Sequence, residues 1–363
     1  DVRVGYRRQS CETWREALGS ILRGLPGSVR RELRAISLDG TSASALLVDR
    51  ATMEPLAGPL MYNDAVGQEE VAEVARAAPP AHTVRAATST LAKLVHWHRR
   101  GAWQRGSDPL LLHQADWLLW LLHGISDGEG RTDFNNALKL GYDPGAGEWP
   151  QWLAALPCAG AVPRIVEAPG TPFGPVSPAV AAAYGIRPQC LVCAGTTDSI
   201  AAFLAAGVER PGEGVTSLGS TLAIKLLSSV RVDDAACGVY SHKLRDGLWL
   251  VGGASNVGGA VLRQHFGDKE LQELSRGIDP AAPSGLDYYP LPSAGERFPV
   301  NDPDMPPRMA PVPADRGTFL HGILEGIARV ESRGYAKLRE LGAPAVTRVV
   351  TAGGGGANQA RGA

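Results

Sequence analysis

Two turns built of small polar residues carry the side chains best suited to chemistry. Asp198 is the acidic residue of the first turn, which lies between an apolar run and a helix-like run in residues 193–200. Residues 219–221, with the sequence Gly-Ser-Thr, form the second turn and end the strand-like run 215–218. A carboxylate and a small-residue loop are two of the parts that phosphoryl transfer needs. Two ordinary glycine turns would give the same local pattern, and short motifs alone do not decide between these interpretations.

Transfer of a phosphoryl group from ATP needs backbone donors around the phosphates, a divalent metal such as Mg²⁺, and a carboxylate that orients or deprotonates the attacking hydroxyl. Asp198 is the candidate for the carboxylate, and the turn at 219–221 can present N–H groups to phosphate oxygens. Four glycines at residues 353–356 would let a nucleotide approach the backbone. The sequence has no G-x-x-x-x-G-K-[ST] motif and no protein-kinase motif set, which argues against both of those classes.

The elements that must position these turns are of both types, so the sequence predicts an α/β protein. Helical periodicity predicts helices at residues 69–77, 91–99, 111–122, 149–156, 199–206 and 316–341. Apolar and β-branched runs predict strands at residues 34–38, 45–48, 190–193, 214–218, 223–227, 238–242, 248–252 and 347–351. The first two of these strands are predicted to pair with each other through a polar elbow at residues 39–42.

Composition limits the class of protein. With 363 residues the chain is long enough for two cores, and 44% hydrophobic residues are typical of a folded globular protein. A net charge of -1 gives no broad field for nucleic acid or a membrane surface, and we expect neither as a partner. Five scattered cysteines indicate a reducing compartment, and the Cys190/Cys193 pair is more typical of a buried strand than of a zinc or redox site. No transmembrane segment is predicted.

A series of motifs resembles the FGGY carbohydrate kinases, and most closely the cyanobacterial and plant sugar kinases that phosphorylate D-ribulose. The match runs in order through essentially the whole chain, and eight motifs in sequence are much more specific than any one of them. The motifs lie at residues 39–42, 60–64, 136–142, 195–199 with 217–221, 253–256, 291–299 and 351–355.

The resemblance implies a two-domain actin-like ATPase fold of ribonuclease-H-like domains, with sugar and ATP meeting in the cleft between them. Residues 1–205 would be the sugar-binding domain and residues 206–363 the nucleotide-binding domain. The implied reaction is ATP-dependent phosphorylation of a ketopentose, D-ribulose giving D-ribulose 5-phosphate, with Mg²⁺ as cofactor and the sugar and ATP as small-molecule partners.

The resemblance also implies roles for individual residues. Asp198 matches the catalytic aspartate, which takes the proton from the attacking sugar hydroxyl and contacts the substrate, although starting a helix would be compatible with it. Ser42 matches a sugar-contacting serine, although residues 39–44 can equally be a plain Asx or Ser turn. The candidate nucleotide-binding residues are Gly195, Thr196, Thr197, Gly219, Ser220, Thr221, Gly354, Gly355 and Asn358. No metal ligand is assigned.

Three departures from the family pattern are visible. The chain starts beyond the first strand and D-x-G-T-S turn of these kinases, and it stops directly after the adenosine loop, so we expect a fold that is incomplete at both ends. The 39–42 elbow does not replace the missing turn, because it aligns with a separate sugar-side elbow. Ala357 stands where the adenosine loop usually has a lysine.

A second hypothesis is a non-catalytic relative, a sugar- or nucleotide-binding pseudokinase or scaffold of the same fold. A serine or cysteine hydrolase has little support, because the G-x-S-x-G elbow is missing and no motif ties a histidine to a nucleophile. The plant-like resemblance predicts a chloroplast protein, and a bacterial cytoplasm would fit the same chemistry. The sequence does not indicate the oligomeric state.

Overall fold

The computed structural model of the chain describes residues 9–80, 82–103 and 106–353. The chain divides into two compact units, Asp1–Ala202 and Phe203–Ala363. Each unit has its own sheets and its own hydrophobic clusters. The mixture of helices and strands confirms the predicted α/β class.

The α-helices of the described residues are α1 (Cys11–Gly24), α2 (Gly27–Glu32), α3 (Gln68–Ala77), α4 (Thr90–Arg99), α5 (Gln114–His123), α6 (Phe134–Ala137), α7 (Pro178–Tyr184), α8 (Asp198–Leu204), α9 (Gly259–His265), α10 (Asp268–Ser275) and α11 (Arg316–Glu340). Short 3₁₀ helices occur at Thr83–Arg85, Leu138–Leu140, Gln151–Ala155, Ala159–Ala161 and Ala235–Cys237. Among the residues covered, none of the helices combines the length and the apolar character that crossing a membrane needs.

The strands are β1 (Ala35–Ile36), β2 (Asp39–Gly40), β3 (Ala45–Asp49), β4 (Pro55–Leu60), β5 (Pro109–His113), β6 (Arg131–Asp133), β7 (Ile165–Glu167), β8 (Pro172–Pro175), β9 (Leu191–Cys193), β10 (Thr196–Thr197), β11 (Glu213–Leu218), β12 (Leu222–Ser228), β13 (Tyr240–Arg245), β14 (Leu248–Ser255) and β15 (Arg348–Ala352).

The predicted pairing of residues 34–38 with 45–48 is wrong. In the first unit β3 is the central strand of an antiparallel sheet in the order β4–β3–β5. Strands β1 and β2 instead run parallel to β9 and β10, more than 150 residues further along the chain. The polar elbow therefore joins two different sheets, because strands that are adjacent in the sequence need not be neighbours in a sheet.

Residues 111–122 were predicted as one helix, and the structure corrects this. Strand β5 ends at His113 and α5 begins at Gln114. Leu110, Leu111 and Leu112 are buried on both faces of the sheet. A strand buried on both faces gives a continuous apolar run, which periodicity does not distinguish from a buried helix. Residues 149–156 form only a short 3₁₀ segment rather than the predicted α-helix.

The second unit is built on a five-stranded sheet in the order β13–β14–β12–β11–β15 within the described residues. Strand β15 runs parallel to β11, and the other neighbours are antiparallel. Helix α11 packs its apolar stripe, which includes Ile323 and Ile327, into the same core as Ile224 of β12. The C-terminal ends of β11 and β15 consequently lie side by side at one edge of this sheet.

Candidate functional site

Asp198 is the first residue of α8, and its side chain is exposed. Its Oδ1 accepts a hydrogen bond from the backbone N–H of Ser199 at 2.6 Å. The carboxylate thus stabilises the start of the helix, as a side chain at a helix N-terminus commonly does, and its other oxygen has no hydrogen-bond partner among the described residues.

The pairing of two short strands brings Ser42 and Asp198 to one edge of the first unit. Strands β2 and β10 run parallel, with Thr197 opposite Gly40. Asp198 directly follows β10, and Ser42 lies two residues beyond the end of β2. Ser42 is half-buried, and its hydroxyl has no hydrogen-bond partner in the described part of the chain. Sequence reasoning placed both residues in one site, and the parallel pairing places the two strand ends that precede them side by side.

Gly195, Thr196 and Thr197 lie inside the first unit rather than on its surface. A Cβ atom at Gly195 would overlap the carbonyl oxygen of Leu38, so the chain needs glycine there for close packing. Thr196 and Thr197 are buried. The contact of these residues with nucleotide stays a prediction. In the structure Thr196 and Thr197 form β10, which pairs with β2.

A buried polar network fixes β10 from its other side. Asn135 donates from Nδ2 to Thr196 Oγ1 at 3.0 Å, and Asn136 donates from Nδ2 to the Thr196 carbonyl oxygen at 3.3 Å. Both asparagines are oriented by the carboxylate of Asp133, which accepts their backbone N–H groups at 2.8 and 3.1 Å. Burial, together with the nearby carboxylate of Asp116, raises the pKa of Asp133. The strand that precedes Asp198 is therefore held by hydrogen bonds on both sides.

Sequence reasoning missed Lys139, although it lies within one of the quoted motifs. The lysine lies in the 3₁₀ helix Leu138–Leu140 and is half-buried. Burial lowers the pKa of Lys139, and the negative charge of Asp198 acts in the opposite direction. The ammonium has neither a hydrogen bond nor a salt bridge to any described residue. A partly desolvated cation near an exposed carboxylate suits a ligand that carries oxygen atoms.

In the second unit, Gly219, Ser220 and Thr221 form the exposed turn between β11 and β12. The N–H of Gly219 donates to the Thr221 carbonyl oxygen at 3.1 Å. The N–H groups of Ser220 and Thr221 have no acceptor among the described residues. Free backbone N–H groups on an exposed turn are able to bind phosphate oxygens.

Two features behind this turn were not predicted. Helix α9 begins at Gly259, whose N–H donates to the Gly219 carbonyl oxygen at 2.8 Å, so the helix start fixes the turn. A Cβ atom at Gly258 would come within 2.7 Å of the Ser220 carbonyl oxygen, which explains a glycine there. From α9, the exposed Arg263 donates to Ser220 Oγ at 2.7 Å. A guanidinium beside free N–H groups favours an anionic ligand.

The glycine-rich stretch after β15 begins next to the same turn. Strands β11 and β15 pair up to Ser217 and Ala352, and Gly353 follows with φ of 80°. A Cβ at Gly353 would lie 3.1 Å from the Leu218 carbonyl oxygen. The structure therefore brings the turn at 219–221 and the start of the glycine stretch together. The predicted nucleotide contacts Gly354, Gly355 and Asn358 lie outside the described residues.

A buried carboxylate, Glu296, ties two of the quoted motifs together in the second unit. It accepts hydrogen bonds from Ser255 Oγ at 2.5 Å, from the Asn256 N–H at 2.8 Å and from the Tyr289 hydroxyl at 2.9 Å. Ser255 ends β14 opposite Leu222, the first residue of β12 after the turn. Glu296 thus stabilises the sheet edge on which the turn is built.

The described residues contain no group of three or more His, Cys, Asp or Glu side chains placed to hold a metal ion. Mg²⁺ in nucleotide enzymes is commonly held by substrate phosphates with one or two carboxylates. The carboxylates of the described residues are thus compatible with a metal ion that binds together with a nucleotide. They fit less well with a metal ion held by protein side chains alone.

In comparisons with known proteins, the chain is similar to carbohydrate kinases. Gluconokinase of Bacillus licheniformis is 30% identical over 150 residues, which cover 37% of this chain and 29% of the relative. Xylulose kinase of Bacillus subtilis is 27% identical over 205 residues, which cover 54% of this chain and 40% of the relative. The matches thus span less than half of the length of either relative. No family model matches the chain.

The crystal structure of a xyloylose kinase from Brucella ovis superposes with a TM-score of 0.83 and 23% identity, covering 100% of this chain and 77% of that chain. The chain has the actin-like ATPase fold of these sugar kinases, which confirms the fold implied by the resemblance. The relatives and neighbours support the FGGY resemblance at the level of the family. They do not single out D-ribulose, and relatives from bacteria give no support to a chloroplast location.

Proposed function

We propose that the protein is an ATP-dependent sugar kinase of the FGGY family that phosphorylates a ketopentose, with D-ribulose as the first choice and D-ribulose 5-phosphate as its product. The observation that carries the proposal is the parallel pairing of β2 with β10, which leaves Ser42 and Asp198 at neighbouring strand ends. The sugar kinases found by the comparisons support the reaction class.

In the proposed mechanism the Ser42 hydroxyl and the Lys139 ammonium bind oxygen atoms of the sugar. Asp198 accepts the proton of the terminal hydroxyl as that oxygen forms a bond to the γ-phosphorus of ATP. The bond between the γ-phosphorus and the bridging oxygen breaks, and ADP leaves. The carboxylate of Asp198 is exposed, so a hydroxyl group of a bound sugar can reach it.

The nucleotide would be bound by the second unit. The free N–H groups of Ser220 and Thr221, with the Arg263 guanidinium, are donors for phosphate oxygens. Gly354, Gly355 and Asn358 are proposed to contact adenosine, and Gly195, Thr196 and Thr197 are proposed to lie close to the nucleotide. Mg²⁺, bound with ATP, would neutralise phosphate charge during transfer.

The reaction is tested by measuring ADP release with D-ribulose, D-xylulose and D-gluconate. The assay uses the whole protein, including any residues that precede Asp1 or follow Ala363 in it. We expect turnover with D-ribulose to be the most efficient of the three. If D-xylulose or D-gluconate is phosphorylated and D-ribulose is not, the proposed kinase activity stands and the assignment of D-ribulose as substrate is wrong. Binding of sugar or ATP without ADP release would instead support a pseudokinase.

Lys139→Met should lower kcat/KM for the sugar by about 100-fold, because a group that stabilises charge near the reacting atoms is lost. The free energy of unfolding should not fall, since the ammonium makes no hydrogen bond or salt bridge to the described residues and burial disfavours its charge. Lys269→Met in α10 is the matched control, because Lys269 is exposed. Steady-state kinetics and thermal unfolding check both. If the Lys139 and Lys269 variants have equal kcat/KM values, the proposed role of Lys139 in binding the sugar is wrong.

A further inference from the structure

We propose that Lys93 is a positioning residue whose buried ammonium fixes the turn carrying Ser42 and so sets the affinity for the sugar. The inference rests on the proposed function, because it assumes that the turn at residues 41–44 contacts a sugar. The contacts behind it lie entirely within the first unit.

Lys93 lies in α4, and its side chain is completely buried. Its Nζ donates to the carbonyl oxygen of Ala43 at 2.7 Å and to that of Met61 at 2.5 Å. Ala43 precedes β3 and Met61 follows β4. One ammonium therefore joins the two loops at the same end of the β3–β4 hairpin.

The turn that Lys93 contacts has a backbone conformation that its sequence does not favour. Ala43 has φ of 65°, in the left-handed region where a Cβ atom is unfavourable and glycine is usual. Such a conformation persists only where surrounding contacts hold it. The Ser44 N–H donates to the Thr41 carbonyl oxygen at 3.0 Å within the turn. The Lys93 hydrogen bond acts on the carbonyl of the strained residue itself.

The charge of Lys93 is not what the position requires. Its hydrogen-bond acceptors among the described residues are carbonyl oxygens, and the charge that favours its protonated form is the carboxylate of Asp64. Burial lowers the pKa of Lys93 to about 8, with a smaller contribution in the same direction from the charge of Lys139. An apolar side chain would avoid this desolvation but would leave two carbonyls without the donor that joins them. The two hydrogen bonds are therefore the reason for a lysine.

Lys93 also lies in the same electrostatic neighbourhood as the proposed base. The charge of Lys139 acts on both Lys93 and Asp198. If the Ala43 carbonyl lost its donor, the turn could relax toward a conformation that alanine prefers, and the preceding Ser42 would move. Asp198 would stay in place, because β10 and α8 do not depend on this contact. A change at Lys93 should therefore affect sugar binding and leave the nucleotide side unchanged.

The test compares Lys93→Met with Leu94→Ala in the whole protein. Leu94 is fully buried beside Lys93 on α4, so its truncation destabilises the core without removing the contact to the turn. We expect Lys93→Met to raise KM for the sugar by about tenfold or more, with KM for ATP within about twofold. Leu94→Ala should unfold at a lower temperature and keep both KM values.

Amide hydrogen exchange without substrate gives a readout that does not depend on activity. The Ser44 N–H donates within the turn, and the Tyr62 N–H donates to Ser44 Oγ at 3.0 Å. Both amides should exchange about tenfold faster in Lys93→Met, while Leu94→Ala should show no acceleration specific to them.

Unchanged sugar KM and unchanged exchange of both amides in Lys93→Met would overturn the inference. If wild type phosphorylates no sugar, the proposed function fails, and the exchange data still decide whether Lys93 fixes the turn. If Lys93→Met does not fold, Lys93→Gln replaces it, because a shorter amide side chain keeps polarity but does not reach both carbonyls. If Lys93→Gln then has the wild-type KM for the sugar and the wild-type exchange rates of both amides, the inference is wrong.

Discussion

Replacing Asp198 by asparagine should lower kcat for sugar phosphorylation by about 10³-fold, because the substitution removes the proposed base that accepts the hydroxyl proton. The substitution separates two roles of this residue. An asparagine Oδ1 can still accept the Ser199 N–H, as Asp198 does at 2.6 Å, and asparagine starts helices as well as aspartate does. Thermal unfolding should therefore be unchanged. A coupled assay of ADP release measures the effect.

Asp315→Asn is the matched control for Asp198→Asn. Asp315 is an exposed carboxylate at the start of α11, where its Oδ2 accepts the Thr318 N–H at 2.7 Å. The same chemical change there should leave kcat and stability at the wild-type values. If the two variants behave alike, Asp198 only starts a helix, and the proposed base is wrong.

Gly195→Ala should lower both stability and activity, although it adds a single methyl group. The new Cβ would overlap the Leu38 carbonyl oxygen, the acceptor of the Thr196 N–H at 3.3 Å. Because backbone atoms cannot yield as a flexible side chain can, β10 must move away from β2. We expect the free energy of unfolding to fall by about 1–3 kcal/mol. In the molecules that remain folded, kcat should fall by about tenfold, since Asp198 moves with β10.

Gly58→Ala provides the comparison for this methyl group. Gly58 lies in β4 of the same unit, and a Cβ there meets no atom within 4 Å. Alanine is therefore expected to keep or slightly raise stability, by reducing the freedom of the unfolded chain. Chemical denaturation and kcat are measured for both variants. A Gly195→Ala protein as stable and active as Gly58→Ala would show that β10 tolerates displacement.

Much of the fold could be predicted from local patterns. The amphipathic helices α3, α4 and α11 begin and end within one or two residues of their predicted bounds, because an apolar stripe at helical spacing is visible in the sequence. The pairing of β2 with β10 could not be predicted in this way. Each of these strands is two residues long, and they lie more than 150 residues apart.

The candidate site, like the fold, could be predicted from local patterns only in part. Asp198 and the turn at 219–221 were identified from their local motifs, since turns of small polar residues are visible without the fold. Ser42 was assigned through the resemblance to the FGGY carbohydrate kinases. Lys93 and Lys139 were not assigned roles, because the roles proposed for them depend on burial and on the groups that surround them. A partial signal for Lys93 exists, since the lysine interrupts the otherwise apolar run of residues 91–95.

The hydrogen bonds accepted by Glu296 have a consequence for building chimeras with similar proteins. The loop that carries this carboxylate and the end of β14 share one set of donors and acceptors, and Asn256 also donates from Nδ2 to the Gly295 carbonyl oxygen at 3.0 Å. A loop from another protein, grafted in place of the Glu296 loop alone, would have to accept the hydrogen bonds that Ser255 and Asn256 of this chain donate. The two segments therefore form one exchangeable module, and crossover points belong outside both.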